Sequence, residues 1–213
     1  EFADVTFDFT AKIEHLLRDR VLLPELAALG CVFIVSAVES LSDRVLAILD
    51  KGHDRADVET ALGLVTAAGI ALRPTFVPFT PWTTLDDFRE MLAFVAAHDL
   101  IDAVDPVQYG LRLLVPPGSL LLGRPELAPH LRGLDAAAHG WRWEHPDPRM
   151  ETLQRDVSAA TRAGAAAGTD ALETFDRVWE LARSAAQAPR DRPATGWTVP
   201  RPRHPRLTEP WFC

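Results

Sequence analysis

The stretch from Leu29 to Ala61, LGCVFIVSAVESLSDRVLAILDKGHDRADVETA, constrains this chain more than any other. The apolar residues Val32 to Val35 run without a break into Ser36-Ala37-Val38-Glu39-Ser40. A helix follows at once, with Val45, Leu46, Ile48 and Leu49 on one face. Gly52 stops it, and Asp54 begins another. An apolar strand that feeds directly into a helix belongs in a parallel α/β sheet covered on both faces. Polar groups at the C-terminal end of such a strand sit where these folds bind ligands.

The same unit recurs on either side. Val5 to Ala11 alternates apolar and polar residues and reads as a strand, with Lys12, Glu14 and His15 at its end. Pro24 opens a short helix from Leu23 to Leu29, closed by Gly30. The central strand is Cys31 to Ala37, followed by helices over Ser42–Asp50 and Asp54–Ala68. Asp54 with Asp57 imitates a capping box, and Gly69 is a C-terminal stop. Ile70 to Val77 is a third strand, and Thr84 with Asp87 opens the helix that carries Phe88, Met91, Leu92 and Val95. Val104 to Leu111 reads as a fourth strand. Alternating strands and helices with short connections predict parallel strands and right-handed crossovers.

Beyond Val115-Pro116-Pro117-Gly118-Ser119 the pattern changes. Leu120 to Ala138 is expected to form one or two helices with a proline break, and Trp141 to Pro148 to be irregular. Met150–Ala167 and Asp170–Ala186 read as helices. From Ala188 the Pro, Arg and Trp content predicts an extended tail. The expected division is 1–122 for the strand–helix part, 123–187 for a helical extension and 188–213 for the tail.

A chain of 213 residues with 47% apolar residues can bury a sizeable core. A net charge of −8 argues against nucleic acid as a general partner. No apolar run is long enough to span a membrane, and no signal peptide is visible. Two cysteines, Cys31 and Cys213, make no disulfide framework, so a reducing, cytoplasmic setting is expected. The start at Glu1-Phe2-Ala3, without Met and almost directly at a strand, reads as a fragment.

The segment from Gly30 to Leu62 resembles the fourth strand and following helices of the radical SAM enzymes, in the branches that hold cobalamin-binding members and methylthiotransferases. The shared pattern is carried by Glu39-Ser40, Ser42-Asp43, Val45-Leu46 and Lys51-Gly52. Leu72 to Thr84 is similar to that family's fifth strand and loop, although Pro78 and Thr80-Pro81-Trp82 stand where glycines are usual and Thr83 where an acidic residue is usual. The loop is stiffer for it, and the resemblance does not extend to a contact that needs a bare backbone. Val115 to Ser119 resembles the Pro-Gly-Thr step after the sixth strand. The likeness covers Val5 to Leu122. It implies an α/β fold that is part of a TIM-like (β/α)6 barrel, about its last four strands. The family's CxxxCxxC loop, whose thiolates hold a four-iron, four-sulfur cluster, is absent, and so is the glycine-rich loop after the second strand. Four strands of an expected six also leave an open edge, and the reading that accounts for all three is truncation upstream, ahead of a natural cluster-free half barrel.

On this resemblance Glu39, Ser40, Lys12, Arg73 and Thr10 face S-adenosylmethionine, and Gln108, Tyr109 and Arg112 lie on the substrate side. Each has a plainer reading. Glu39 is also a carboxylate at a helix N-terminus. Lys12 could pair with Glu14. Arg73, inside an apolar strand, needs a partner such as Glu39. Gln108, Tyr109 and Arg112 could serve packing. His145 reads as packing or a turn, no histidine shows metal-ligand spacing, and Cys31 reads as a small apolar residue.

Cys213, after Leu207-Thr208-Glu209-Pro210-Trp211-Phe212, gives a tail that looks like that of radical SAM proteins named for a Cys-Cys-Ala-Glu-Pro or Cys-selenocysteine-Ala-Glu-Pro motif. An in-frame UGA codon read as a stop would end the chain at this point, so selenocysteine is expected next, with Cys213 redox-active.

The resemblance implies an enzyme that cleaves S-adenosylmethionine reductively, with cluster ligands outside this chain, a cobalamin domain upstream as an option, a reductant such as ferredoxin or flavodoxin, and a small-molecule or peptide substrate. The alternative is a cofactor-free α/β module that binds a small molecule or a partner. An aldolase-type lyase would need a lysine inside a barrel strand, and Lys12 alone comes near one.

Overall fold

The computed structural model describes residues 5–189. Three parallel strands form its centre in the order β1 (Phe7–Thr10), β2 (Cys31–Glu39), β3 (Ala71–Phe76). Between β1 and β2 lie α1 (Ile13–Arg18) and α2 (Leu23–Ala28), and between β2 and β3 lie α3 (Asp43–Leu49) and α4 (Arg55–Ala67). Helix α5 (Leu85–Ala97) follows β3. The two capping boxes read from sequence are both formed, Asp54 with Asp57 on α4 and Thr84 with Asp87 on α5. Each satisfies amides that the first helical turn leaves without partners.

The sheet has two unlike faces. On one, Ile34, Val38, Leu72 and Phe76 are buried in a core with Ile13 and Leu16 of α1 and Val58, Ala61 and Val65 of α4. On the other, the register sets Asp8 beside Phe33, Thr10 beside Val35, Val35 beside Arg73 and Ala37 beside Thr75. Phe33 is buried there, Val35, Ala37, Arg73 and Thr75 are half-buried, and Asp8 and Thr10 are exposed. No described helix shields that second face.

The fourth strand expected over Val104–Leu111 does not form. Pro106 lacks an N–H and fixes its own φ, and Asp105 caps a 3-10 turn, Pro106–Gly110, by accepting from the Val107 N–H. The Phe76 N–H, which a fourth strand would have engaged, donates instead to Gln108 Oε1 at 2.9 Å. Parallel pairing survives as one bridge further along, between Phe79 and Arg112. Among the described residues the sheet thus has three strands, and a (β/α)6 barrel is not seen.

The helices expected over Leu120–Ala138 are also replaced. Short 3-10 turns, Leu120–Gly123 and Ala128–His130, lead into an antiparallel hairpin of β4 (Leu131–Asp135) and β5 (Gly140–Trp143). Alternation in Leu-Arg-Gly-Leu and Trp-Arg-Trp, each half-buried, favours strands over a helix. The hairpin and the segment before it close a second, smaller core of Val45, Ile48, Trp82, Val115, Leu127 and Trp143. Helices α6 (Pro148–Ala167) and α7 (Ala171–Ala185) form as expected and return to the main core through Met150, Leu153, Val157, Phe175 and Val178. Among the described residues no helix is long and apolar enough to cross a membrane.

Candidate functional site

The C-terminal ends of β1, β2 and β3 point the same way because the strands are parallel, so their last residues and the loops after them form one rim. The middle strand ends in an unusual conformation. Glu39 has φ +66°, in the left-handed region that a non-glycine residue adopts at a cost of roughly 1–3 kcal/mol. A register shift lies between Ala37 and Glu39, which pairs with Phe76. The Val77 N–H donates to the Glu39 carbonyl at 2.9 Å, which anchors the start of the next loop to this turn.

The Glu39 side chain is met from the connector between α3 and α4. Lys51 Nζ lies 3.0 Å from Glu39 Oε1, and the two side chains are 26% and 22% exposed. The cation beside Glu39 is thus Lys51. Arg73 pairs in register with Val35 and lies three residues before Phe76, so it sits on the order of 10 Å along the strand from Glu39. Its guanidinium lies 5.4 Å from the Phe33 ring centroid, on the open face. Thr10 is exposed on the same face, on the other side of Val35. Ser40 is buried, and its Oγ accepts from the Ser42 N–H at 3.1 Å, at the entry to α3. Lys12 is exposed where β1 passes into α1 and forms no ion pair with Glu14.

The residues expected on the substrate side divide. Gln108 is buried and bonded to Phe76, as described. Tyr109 is buried against the helices, edge-on to Phe175 with ring centroids 5.8 Å apart. Its hydroxyl has no hydrogen-bond partner among the described residues, and burial pushes its pKa upward. Arg112 makes two hydrogen bonds to Glu151, at 2.8 and 2.9 Å, and lies 3.5 Å from the Trp143 ring centroid. It ties the hairpin to α6. Burial pushes the Glu151 carboxyl up, but hydrogen bonds from Arg112 and the His145 N–H, with their charges, outweigh it and leave Glu151 below its ordinary value. Cys213 lies outside the described residues.

The loop after β3 is rigid in a way glycines would not allow. Residues 78–83 are all buried. Thr80 Oγ1 accepts from the N–H groups of Trp82 and Thr83, each at 3.2 Å, and Trp82 Nε1 donates to the Glu126 carbonyl. His145 bolts this loop to the start of α6. Its Nδ1 lies 2.9 Å from the Asp147 N and 3.1 Å from the Asp147 carbonyl, and its Nε2 lies 2.9 Å from the Thr83 carbonyl. Beside it opens a cavity of about 460 Å³ lined by Arg44, Trp82, His130, Asp147 and Arg149. Burial, together with His145, Arg132 and Arg44, holds the His130 imidazole below its ordinary pKa.

A four-iron cluster does not fit the described residues. No three His, Cys, Asp or Glu side chains converge among them, and Cys31 is buried at the opposite end of β2, where burial raises its thiol pKa. At the rim itself the described polar side chains are the Glu39 carboxylate and the Ser40 hydroxyl, with Arg73 further down β3. Two contributors escaped sequence reasoning: Lys51, and His53, whose Nε2 lies 3.3 Å from the Val38 carbonyl. The Lys51-Gly52 step belongs to the resembling pattern in the sequence, which gives Lys51 no contact of its own.

No protein-family model and no curated protein matches this chain. Solved structures do. The cobalamin-dependent S-adenosylmethionine radical enzyme OxsB with aqua-cobalamin bound matches with a TM-score of 0.61 at 17% identity, over 76% of this chain and 29% of that chain. The same enzyme with aqua-cobalamin and S-adenosylmethionine bound gives the same values. Its apo, selenomethionine-labelled form gives 0.60 at 18% identity, over the same shares. At such identity the likeness is one of fold. The chain thus shares the fold of a part of a cobalamin-dependent radical S-adenosylmethionine enzyme, and spans 29% of that enzyme's length.

Proposed function

We propose that this chain is one wall of a radical S-adenosylmethionine enzyme, and that its strand ends bind the outer parts of S-adenosylmethionine. The observation that carries this is a second face of the parallel sheet that no described helix covers. Parallel strands are ordinarily covered on both sides, and a face that carries Thr10, Val35, Ala37, Arg73 and Thr75 with no described helix over it suits the lumen of a barrel. The fold shared with OxsB supports the same assignment.

In this proposal Arg73 meets the cofactor's carboxylate, Glu39 and Ser40 its hydroxyl groups, and Thr10 and Lys12 border them. A four-iron cluster, held by cysteines outside this chain, would supply the electron for cofactor cleavage. What these residues do is orient the bound molecule and exclude water around it. The substrate is a small molecule or a peptide, reached from the rim, and a ferredoxin- or flavodoxin-type protein is the reductant. A cobalamin domain would lie upstream.

The test is to express the gene with all its in-frame coding sequence, reconstitute it anaerobically with iron and sulfide, and measure 5′-deoxyadenosine. Glu39→Gln and Arg73→Ala should each lower the yield about tenfold or more, the effect of losing a hydrogen bond to a charged group. Unchanged yield in both variants, or no 5′-deoxyadenosine from a protein that has taken up iron and sulfide, would sink the proposal.

A further inference from the structure

The end of β2 is held by the connector between α3 and α4, at two successive residues. Lys51 reaches the Glu39 carboxylate at 3.0 Å, and His53 reaches the Val38 carbonyl at 3.3 Å. The connector is shaped for this. Asp50 closes α3 in the left-handed region at φ +55°, the Lys51 N–H returns to the Leu46 carbonyl, and Gly52 at φ +72° turns the chain again. Arg124, 2.8 Å from Asp50, pins the connector from the far side.

Glu39 needs such a hold. Its φ of +66° is a conformation that a residue with a Cβ leaves readily unless its surroundings fix it. The carboxylate has two oxygens. Lys51 occupies Oε1, and Oε2 has no partner among the described residues. An ionised carboxylate is an acceptor only, so what it can receive there is a hydroxyl or amino donor.

We propose that Lys51 is a positioning residue. It fixes Glu39 in its left-handed conformation and leaves one carboxylate oxygen aimed at a ligand's hydroxyl or amino group. This rests on the assignment of Glu39 to the ligand, and the experiment keeps the two apart.

The measurement is made on the whole chain, as wild type, Lys51→Met, Lys51→Arg and Glu39→Gln. Amide hydrogen exchange comes first, because it needs no ligand. Lys51→Met should speed exchange at the Val77 amide, which is bonded to the Glu39 carbonyl, about tenfold, while Ile34 in the middle of β2 is unchanged. Lys51→Arg should restore protection. Val77 exchange that Lys51→Met leaves as in wild type overturns the proposal, as does equal loss in Lys51→Met and Lys51→Arg.

Adenosine is then titrated into each protein and followed by NMR. Binding weakened about tenfold by Lys51→Met and by Glu39→Gln, and recovered in Lys51→Arg, is the expected result. Binding lost in Glu39→Gln but kept in Lys51→Met overturns the positioning role alone. Binding kept in Glu39→Gln removes Glu39 from the ligand site, and then the exchange result alone decides whether Lys51 sets the strand end.

Discussion

Arg112 and Glu151 illustrate how far a residue's chemistry depends on neighbours that sequence does not place. An arginine after an apolar segment near a barrel mouth looks like a substrate contact. In the fold it stacks on Trp143 and is held by a carboxylate 39 residues away. No local pattern could reveal that pairing, because it depends on a hairpin whose first strand reads as helix and whose second reads as irregular. The place of Glu39 at the end of β2, by contrast, is legible, since the strand, the turn and the helix start are contiguous. The Arg112–Glu151 pair carries a pH prediction. Glu151 lies below its ordinary value of 4.5 in the fold, so its contribution is fully present above that value and lost as the pH falls through the native one. Urea midpoints should therefore drop on acidification from about pH 5 to 3 in wild type and drop less in Glu151→Gln. At pH 7 the variant should be less stable by about 1–2 kcal/mol, allowing for the screening of a partly exposed pair. Equal slopes for both proteins would refute it.

At the scale of elements, caps and breakers carried most of the information. Both capping boxes were read correctly, because they are written within four residues of one another. The fourth strand was misread for the same kind of local reason. Pro106 and Asp105 stand where a strand cannot tolerate them, and Gln108 replaces the missing backbone partner with a side chain. The glycines separate two cases that look alike in sequence. A Cβ at Gly63, in α4, would meet nothing within 4 Å, whereas one at Gly110 would lie 2.7 Å from Ser158 Oγ and 3.0 Å from its Cα. Gly63→Ala should raise stability by about 0.5–1 kcal/mol through helix propensity. Gly110→Ala should lower it by about 1–3 kcal/mol, because α6 must move away from the turn. Thermal melts of the two variants would check both signs, and a stabilised Gly110→Ala would show that α6 yields freely.

For the whole molecule, the division into a strand–helix part and a helical extension does not follow the packing. Met150, Leu153, Val157, Phe175 and Val178 belong to the core that also contains Ile34, Val38, Leu72 and Phe76. The first part therefore shares its core with α6 and α7. A chain ending at residue 147 should lose cooperative unfolding, with ellipticity and tryptophan fluorescence no longer changing together, while in the full chain they coincide. A sharp, coincident transition in the shortened chain would mean that the core closes without α6 and α7. The core was readable in outline, since each helix announces its apolar face, but not which helices return to which sheet. The strained turn at the end of β2 has a consequence for breeding this protein. Selection for heat resistance rewards any substitution that relaxes the backbone, and position 39 offers such a reward to glycine or asparagine. On the proposed role of Glu39, lineages kept only for robustness should drift there and lose ligand binding, whereas lineages screened for chemistry should keep the costly glutamate and Lys51.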